Sequence, residues 1–325
     1  MLEFVKGKKI LFITTKNLDY IRNSQEIYEL GKRSGSIDVI GYKDNNYPKR
    51  LVNVYWKLLT GSLKKYDMVF IGFAPQLVLP LLGFKFKKCE VAIDFFISMY
   101  DTMCCDRQRF GKNGIMGKLL KAIDKRTLKR ADYIIADTKA HGRYFCEELG
   151  ADSSKIEVLY LDADRSIYRP KQVEKKEKAR GKFTVLYFGS ILPLQGVDVV
   201  LGAIDRLKSR TDMYFYVIGP IGDKYAKPFS ENIEYISWLS QEELAEYIAM
   251  SDLCLAGHFN KDIEKARRTI PGKAYIYDAM DKPMVLGDNE ATRELYDENQ
   301  KGIYFVRMGD AKALAECISR ICSDK

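Results

Sequence analysis

Lys265, Arg267, Arg268 and Lys273 crowd around the short sequence Ile270-Pro271-Gly272. Pro271 suits the first position of a helix, because the N–H it lacks has no partner there and its fixed φ is already helical. The amides of Gly272, Lys273 and Ala274 then have no carbonyl behind them, and the helix dipole adds partial positive charge at the same spot. Gly272 lets a ligand approach the backbone closely. A diphosphate fits this arrangement, and a solvated basic turn is the plainer alternative.

Such a site needs strands and helices to position it. The second half of the chain alternates them, with β-rich runs at 184–189, 213–219, 233–237, 252–257, 283–287 and 302–307. Helical patterns lie between them near 197–209, 241–251, 271–281, 291–298 and 310–322. Ser240 with Glu243 three residues later makes a capping box for one of these helices. Runs ending in Gly189, Gly219 and Gly257 place permissive backbone at the carboxyl edge of the sheet, where open α/β domains bind ligands. No G-x-G-x-x-G follows a strand, which disfavours a dinucleotide-binding oxidoreductase.

The first half shows the same rhythm, with runs at 8–14, 36–42, 67–73, 90–96, 132–137 and 155–161. It predicts a second parallel, doubly wound sheet. Asp94 and Asp101, in IDFFISMYD, follow one of its strands and suit either contact with an acceptor hydroxyl or a capping and turn role. His141 and Glu147 sit on a helical stretch and read as structural. Trp238 follows a strand of the second half and suits either stacking on a base or the core. The charged run 169–182 has no apolar periodicity, so it reads as a linker between domains at 1–168 and 183–325.

At 325 residues and 46% hydrophobic composition, the chain has enough apolar material for two cores. Seven scattered cysteines without C-x-x-C, and two histidines, exclude a zinc centre and a disulfide framework and point to reducing cytosol. The N-terminal MLEFVKGKKILFITTK interleaves lysines with apolar residues and does not read as a signal peptide. The longest uncharged run, Met68 to Phe84, is broken by Pro75, Gln76 and Pro80 and falls short of a membrane span. Net charge is +9, and nine Lys and Arg lie between Cys104 and Arg130 against Asp106 and Asp124. Apolar residues at helical spacing accompany them, and LPLLGFKFKK (79–88) repeats the mixture. Both segments suit docking on an anionic membrane surface, with a core-packing helix bearing a solvated basic face as the alternative. Nucleic acid is disfavoured, because no recognition-module signature accompanies the charge.

In order along the chain, VLYFGSILPLQGVDVVLGAI, FYVIG, IEYISWLSQEELAEYIAMSDLCLAG and IPGKAYIYDAMDKPMV resemble the C-terminal domain of GT-B glycosyltransferases. The resemblance is to family four (glycosyl transferases group 1), nucleotide-sugar-dependent enzymes of bacterial glycolipid and surface polysaccharide synthesis. Upstream, RADYIIADTKAHGRYF and KIEVLYLDADRSIYRP resemble that family's approach to its linker. The string Lys265-Ala-Arg-Arg-Thr-Ile-Pro-Gly-Lys273 and the loop Pro193-Leu-Gln-Gly196 resemble a variant branch.

What the resemblance implies is an α/β protein of two Rossmann-like domains facing a cleft, the N-terminal one for the acceptor and the C-terminal one for the donor. It implies transfer of a hexose from a nucleoside diphosphate sugar to a lipid-linked or oligosaccharide acceptor, with retention and without cofactor or metal. The enzyme is expected on the cytoplasmic side of the membrane. Donor-binding candidates are Gly189, Ser190, Gln195, Gly196, Gly219, Trp238, Lys265, Arg267, Arg268, Gly272 and Lys273; Arg268 joins Asp94 and Asp101 as a catalytic candidate. Ser190 and Gln195 replace the family's Arg and Lys, and Arg268 and Ile276 fall where its paired glutamates stand. The four cations of 265–273 are expected to supply the missing positive charge. The missing glutamates motivate a second reading, a non-catalytic subunit binding a partner transferase or lipid. An epimerase on the same fold would need more acid and base groups than the sequence offers. Asp162-Ala-Asp164 spells a metal motif of a different glycosyltransferase fold, but it lies at the approach to the linker and is not expected to bind metal.

Overall fold

Runs of β-branched and aromatic residues set off by helical segments build two six-stranded parallel sheets. The computed structural model describes residues 2–223 and 225–324. The chain divides into two compact units, Met1–Leu161 and Asp162–Lys325.

In the first unit the elements run β1 (Lys9–Thr14), α1 (Ile21–Gly31), β2 (Ser36–Ile40), α2 (Tyr47–Thr60), β3 (Met68–Gly72), α3 (Leu79–Leu82), β4 (Glu90–Asp94), α4 (Ile115–Arg130), β5 (Tyr133–Ala136), α5 (Lys139–Leu149) and β6 (Ile156–Val158). The sheet order is β2-β1-β3-β4-β5-β6. β3, Met-Val-Phe-Ile-Gly, is buried along its whole length, as expected for a parallel strand covered on both faces.

The second unit runs β7 (Phe183–Phe188), α6 (Val197–Leu207), β8 (Met213–Ile218), β9 (Ile233–Ile236), α7 (Gln241–Met250), β10 (Leu253–Gly257), α8 (Lys265–Arg268), α9 (Gly272–Ala279), β11 (Met284–Gly287), β12 (Ile303–Val306) and α10 (Ala311–Ser323). Its order, β12-β11-β10-β7-β8-β9, is that of a Rossmann sheet, with the reversal of direction between β7 and β10. Val197, Val200, Ile204 and Leu207 give α6 one apolar face, which packs in the core with Leu314, Ile318 and Ile321 of α10. The Ser240–Glu243 capping box opens α7 as expected.

Three local expectations are corrected. Over 291–298 there is only a single turn, Thr292–Glu294. The Thr292 hydroxyl returns to the Gly287 carbonyl at 2.9 Å, and Asp297 takes the Asn299 amide into a tight turn, so the helix does not extend. Pro271 is the N-cap of α9 rather than its first helical residue. The basic stretch 104–130 is a π-type turn, Asp101–Asp106, then a break at Gly111 and Gly114 before α4.

The charged run 169–182 lies in the second unit and is tied to it. Ala179 is buried, and the Lys175 ammonium donates to the Lys182 carbonyl at 2.8 Å and pairs with Asp252. No helix among the described residues is long and apolar enough to cross a membrane.

Candidate functional site

The carboxyl edge between β7 and β10 is where a sheet of this order leaves a crevice for ligands. The loop after β7 enters it through Gly189 and leaves through Gly196, whose φ of 66° is left-handed. A Cβ on Gly196 would stand 2.7 Å from the Phe259 carbonyl carbon, so only glycine lets the loop pack against the chain leaving β10. Gly219, at φ 141°, is similarly confined, with a Cβ falling 2.2 Å from the Gly189 carbonyl oxygen.

Lys273 projects from the first turn of α9 into this loop. Its ammonium donates to the Phe188 carbonyl at 2.9 Å and to Gln195 Oε1 at 3.0 Å, and lies 4.0 Å from the centre of the Tyr187 ring. The Tyr187 hydroxyl donates to the same Gln195 oxygen at 2.9 Å. Among the described residues no carboxylate pairs with this buried cation, and burial holds its pKa well below the usual lysine range. Above it, the amides of Gly272 and Lys273 begin the helix without intrahelical acceptors, while the Ala274 amide returns to the Pro271 carbonyl at 2.8 Å.

The other cations stand on α8, a single helical turn. Arg268 is half-buried, with a guanidinium nitrogen 3.8 Å from Glu264, while the exposed Arg267 donates to the Lys261 carbonyl at 3.3 Å. Lys265 is half-buried and Ser190 exposed. Trp238, beyond β9, is 75% exposed and is therefore not a core residue. Asp162 accepts from the Ala163 amide and Asp164 from Ser166, so both acids of the 162–164 triplet serve their own turn.

In the first unit, Asp94 at the end of β4 is buried and engaged by Arg22 of α1, Nε at 3.3 Å and Nη2 at 3.1 Å. Arg22 also donates to the Leu159 carbonyl at 2.5 Å, tying α1 to the chain beyond β6. Glu26 lies 3.4 Å from Arg22, which favours its charged form, but burial and then Asp94 outweigh it and push the Glu26 pKa well up. Asp137 and His141 share a 2.6 Å contact in the same buried region. Asp101 is buried at the start of the π-type turn, its amide held by Ser98. Asp124 of α4 accepts from Ser98, from the Met99 and Tyr100 amides and from Gln76. It thus positions the segment bearing Asp101. Asp94 and Asp101 are both buried, Asp94 already in a charge pair.

Sequence reasoning missed Arg22, Glu26, Asp124, Tyr187 and His258. Arg22, Glu26 and Asp124 lie on amphipathic helices as ordinary charges, and only the fold shows that they face inward. Single histidines and tyrosines carry no spacing signal.

The two-domain architecture is that of the GT-B glycosyltransferases. It aligns with the crystal structure of Anabaena Alr3699/HepE in complex with UDP at a TM-score of 0.69 and 13% identity, over 97% of this chain and 90% of that one. The same protein in complex with UDP-glucose aligns at 0.62 and 13% identity, over 98% of this chain and 90% of that one. Residues 182–324, within the second unit, match the family described as glycosyl transferases group 1. An uncharacterized 41.2 kDa protein in the cps region of Klebsiella pneumoniae is 27% identical over 211 residues, 60% of this chain and 55% of that protein. A D-inositol 3-phosphate glycosyltransferase of Nocardioides sp. is 24% identical over 168 residues, 42% of this chain and 36% of that enzyme. The matched part thus spans between about a third and a half of these relatives' lengths.

Proposed function

We propose that the protein transfers a hexose from a nucleoside diphosphate sugar to a lipid-linked or oligosaccharide acceptor in bacterial surface glycan synthesis, with retention and without metal. The observation that carries this reading is Lys273, a buried cation with neutral acceptors and, among the described residues, no carboxylate partner, set at the edge where the Rossmann sheet reverses. A buried charge left unbalanced is costly, and an anion beside the α9 N-terminus would balance it. The UDP and UDP-glucose complexes of the structural neighbour support a nucleotide sugar as that anion. The relative from a cps region and the inositol phosphate glycosyltransferase support the glycan setting.

In this reading Lys273, Arg268, Lys265 and the first amides of α9 stabilise the departing diphosphate, with Gly189 to Gly196 as the facing wall. Gly219 and Trp238 border the nucleotide, and Arg267 adds long-range attraction. Asp94 and Asp101 lie in the acceptor unit, where Asp101 and its segment orient the acceptor oxygen.

The protein works, on this proposal, at the cytoplasmic face of the membrane. Ile115 is 91% exposed at the start of α4, with Met116, Leu119, Leu81 and Phe84 also open to solvent and lysines interspersed. Exposed apolar side chains among cations suit an anionic bilayer surface. The competing reading, a non-catalytic subunit, draws support from Lys273 already having two acceptors in the protein. Slow release of free sugar from a nucleotide sugar, tested across a donor panel, separates the two. A catalyst releases sugar, and failure with every donor, native lipid extract included as acceptor, favours the subunit.

A further inference from the structure

His258 directly follows β10, at the carboxyl edge of the strand that adjoins β7. It is buried, and its Nδ1 has no hydrogen-bond partner among the described residues. Backbone groups of Ala266 and Thr269, around the end of α8, face the ring and favour its proton. Burial, and then the neighbouring Lys273 charge, outweigh them and push the imidazole down to about 3, so the ring is neutral at physiological pH.

A neutral imidazole carries one N–H and one lone pair. The Ala266 and Thr269 carbonyls are acceptors, so they serve the N–H and leave the lone pair unmet. Lys273 does not supply the missing donor: its ammonium donates to the Phe188 carbonyl and to Gln195, and His258 Nδ1 has no partner among the described residues. An unmet buried acceptor carries a desolvation penalty, and a donor arriving from outside the protein would remove it.

We propose that the lone-pair nitrogen of His258 accepts a hydrogen bond from a hydroxyl of the bound nucleotide sugar, making His258 a specificity-determining residue of the donor site. This rests on the second unit being a nucleotide-sugar site. The hydroxyl belongs to the ribose or to the transferred sugar, groups of the same hydrogen-bonding chemistry. A ligand with a hydroxyl at that position gains the bond, and a deoxy analogue leaves the nitrogen unmet, which is how buried acceptors discriminate.

The chain has only two histidines, so labelling imidazole with ¹⁵N gives two rings, with His141 in the other unit as internal reference. The full chain is titrated with UDP and with UDP-glucose while calorimetry reports binding separately. The expected result is movement of the His258 lone-pair nitrogen to a hydrogen-bonded shift while His141 stays in place. Movement with UDP assigns the ribose, and movement with UDP-glucose alone assigns the transferred sugar. Heat of binding with an unmoved His258 nitrogen overturns the proposal in favour of a buried water. No heat with either ligand instead removes the nucleotide-site reading, and this inference with it. His258→Asn and His258→Gln each place an amide oxygen near a different ring nitrogen. One is expected to bind close to the unsubstituted chain and the other about tenfold more weakly, at 1.36 kcal/mol per decade. Equal affinities in two folded variants would also overturn it, and should either fail to fold, the titration of the unsubstituted chain decides.

Discussion

The Lys273 ammonium donates to Gln195 Oε1 at 3.0 Å, and this one contact joins the loop after Phe183–Phe188 to the helix Gly272–Ala279. It makes Gln195 and Lys273 a single arrangement. A lysine at 195 would bring a second ammonium against the first in a buried place, whereas the neutral amide accepts from it.

Gln195→Lys alone should therefore destabilise the second unit, by about 3 kcal/mol or more for an uncompensated buried charge. The exchange Gln195→Lys with Lys273→Gln should recover most of that loss. Denaturant unfolding of the single and double variants checks the coupling, and an exchange no more stable than Gln195→Lys alone would sink it.

Lys273→Ala should weaken UDP binding by about 1.5–3 kcal/mol, the worth of a charge-assisted hydrogen bond. Its loop contacts also contribute to stability, so binding must be measured well below the variant's unfolding transition. Unchanged affinity in calorimetry would place the diphosphate elsewhere.

The strand runs of both halves and the Ser240 capping box were legible because alternation, length and capping chemistry are local. The resemblance sets the cations of 265–273 opposite the PLQG loop, and in the fold Lys273 of the first segment contacts Gln195 of the second. Pattern could not show that Lys273 turns inward to the Phe188 carbonyl, since a lysine in a basic run looks solvated until its neighbours are placed. Arg22 and Asp94 are 72 residues apart, and nothing local links them. The helix expected over 291–298 failed because Thr292 bonds back to the Gly287 carbonyl, a competition that helical periodicity does not register.

Glu26 gives a pH prediction with a definite sign. Burial, then Asp94, raise its folded pKa above the ordinary 4.5, with Arg22 opposing. The folded state therefore holds a proton that the unfolded state releases. The associated stability is fully present below about 4.5 and is lost as pH rises through the raised value. Glu26→Gln should flatten this decline, seen as a gap between the two unfolding curves that changes as pH rises above about 4.5. Parallel curves would show that Glu26 is ionised in the fold.

Trp56 on the helix Tyr47–Thr60 extends the apolar face beyond the segments singled out by sequence. It is 69% exposed, Val52 and Leu59 share its side of the helix, and Lys85 donates to the Leu59 carbonyl at 3.0 Å, bringing exposed Phe84 alongside. Trp56→Glu and Phe84→Glu should reduce sedimentation with phosphatidylserine-containing vesicles. Each basic residue at the surface should contribute about 1 kcal/mol, falling with salt. Equal sedimentation with neutral and anionic vesicles would count against an anionic membrane surface.

Arg268 decides whether the cations of the second unit do catalytic work. It is half-buried, and one of its guanidinium nitrogens lies 3.8 Å from Glu264, longer than a direct hydrogen bond. If Arg268 stabilises charge on the departing diphosphate, turnover should proceed in chelator, and Arg268→Gln should lower it about tenfold or more, at 1.36 kcal/mol per decade. Arg268→Glu should be worse than Arg268→Gln, because a carboxylate there repels the developing negative charge. Arg268→Lys, which keeps the charge but loses the planar fork, should fall between the unsubstituted chain and the glutamine variant. Steady-state transfer rates with a donor from the panel, measured in chelator, test the order. Equal rates for the glutamine and glutamate variants would remove Arg268 from the chemistry, and dependence of the unsubstituted chain on added metal would refute metal-free transfer.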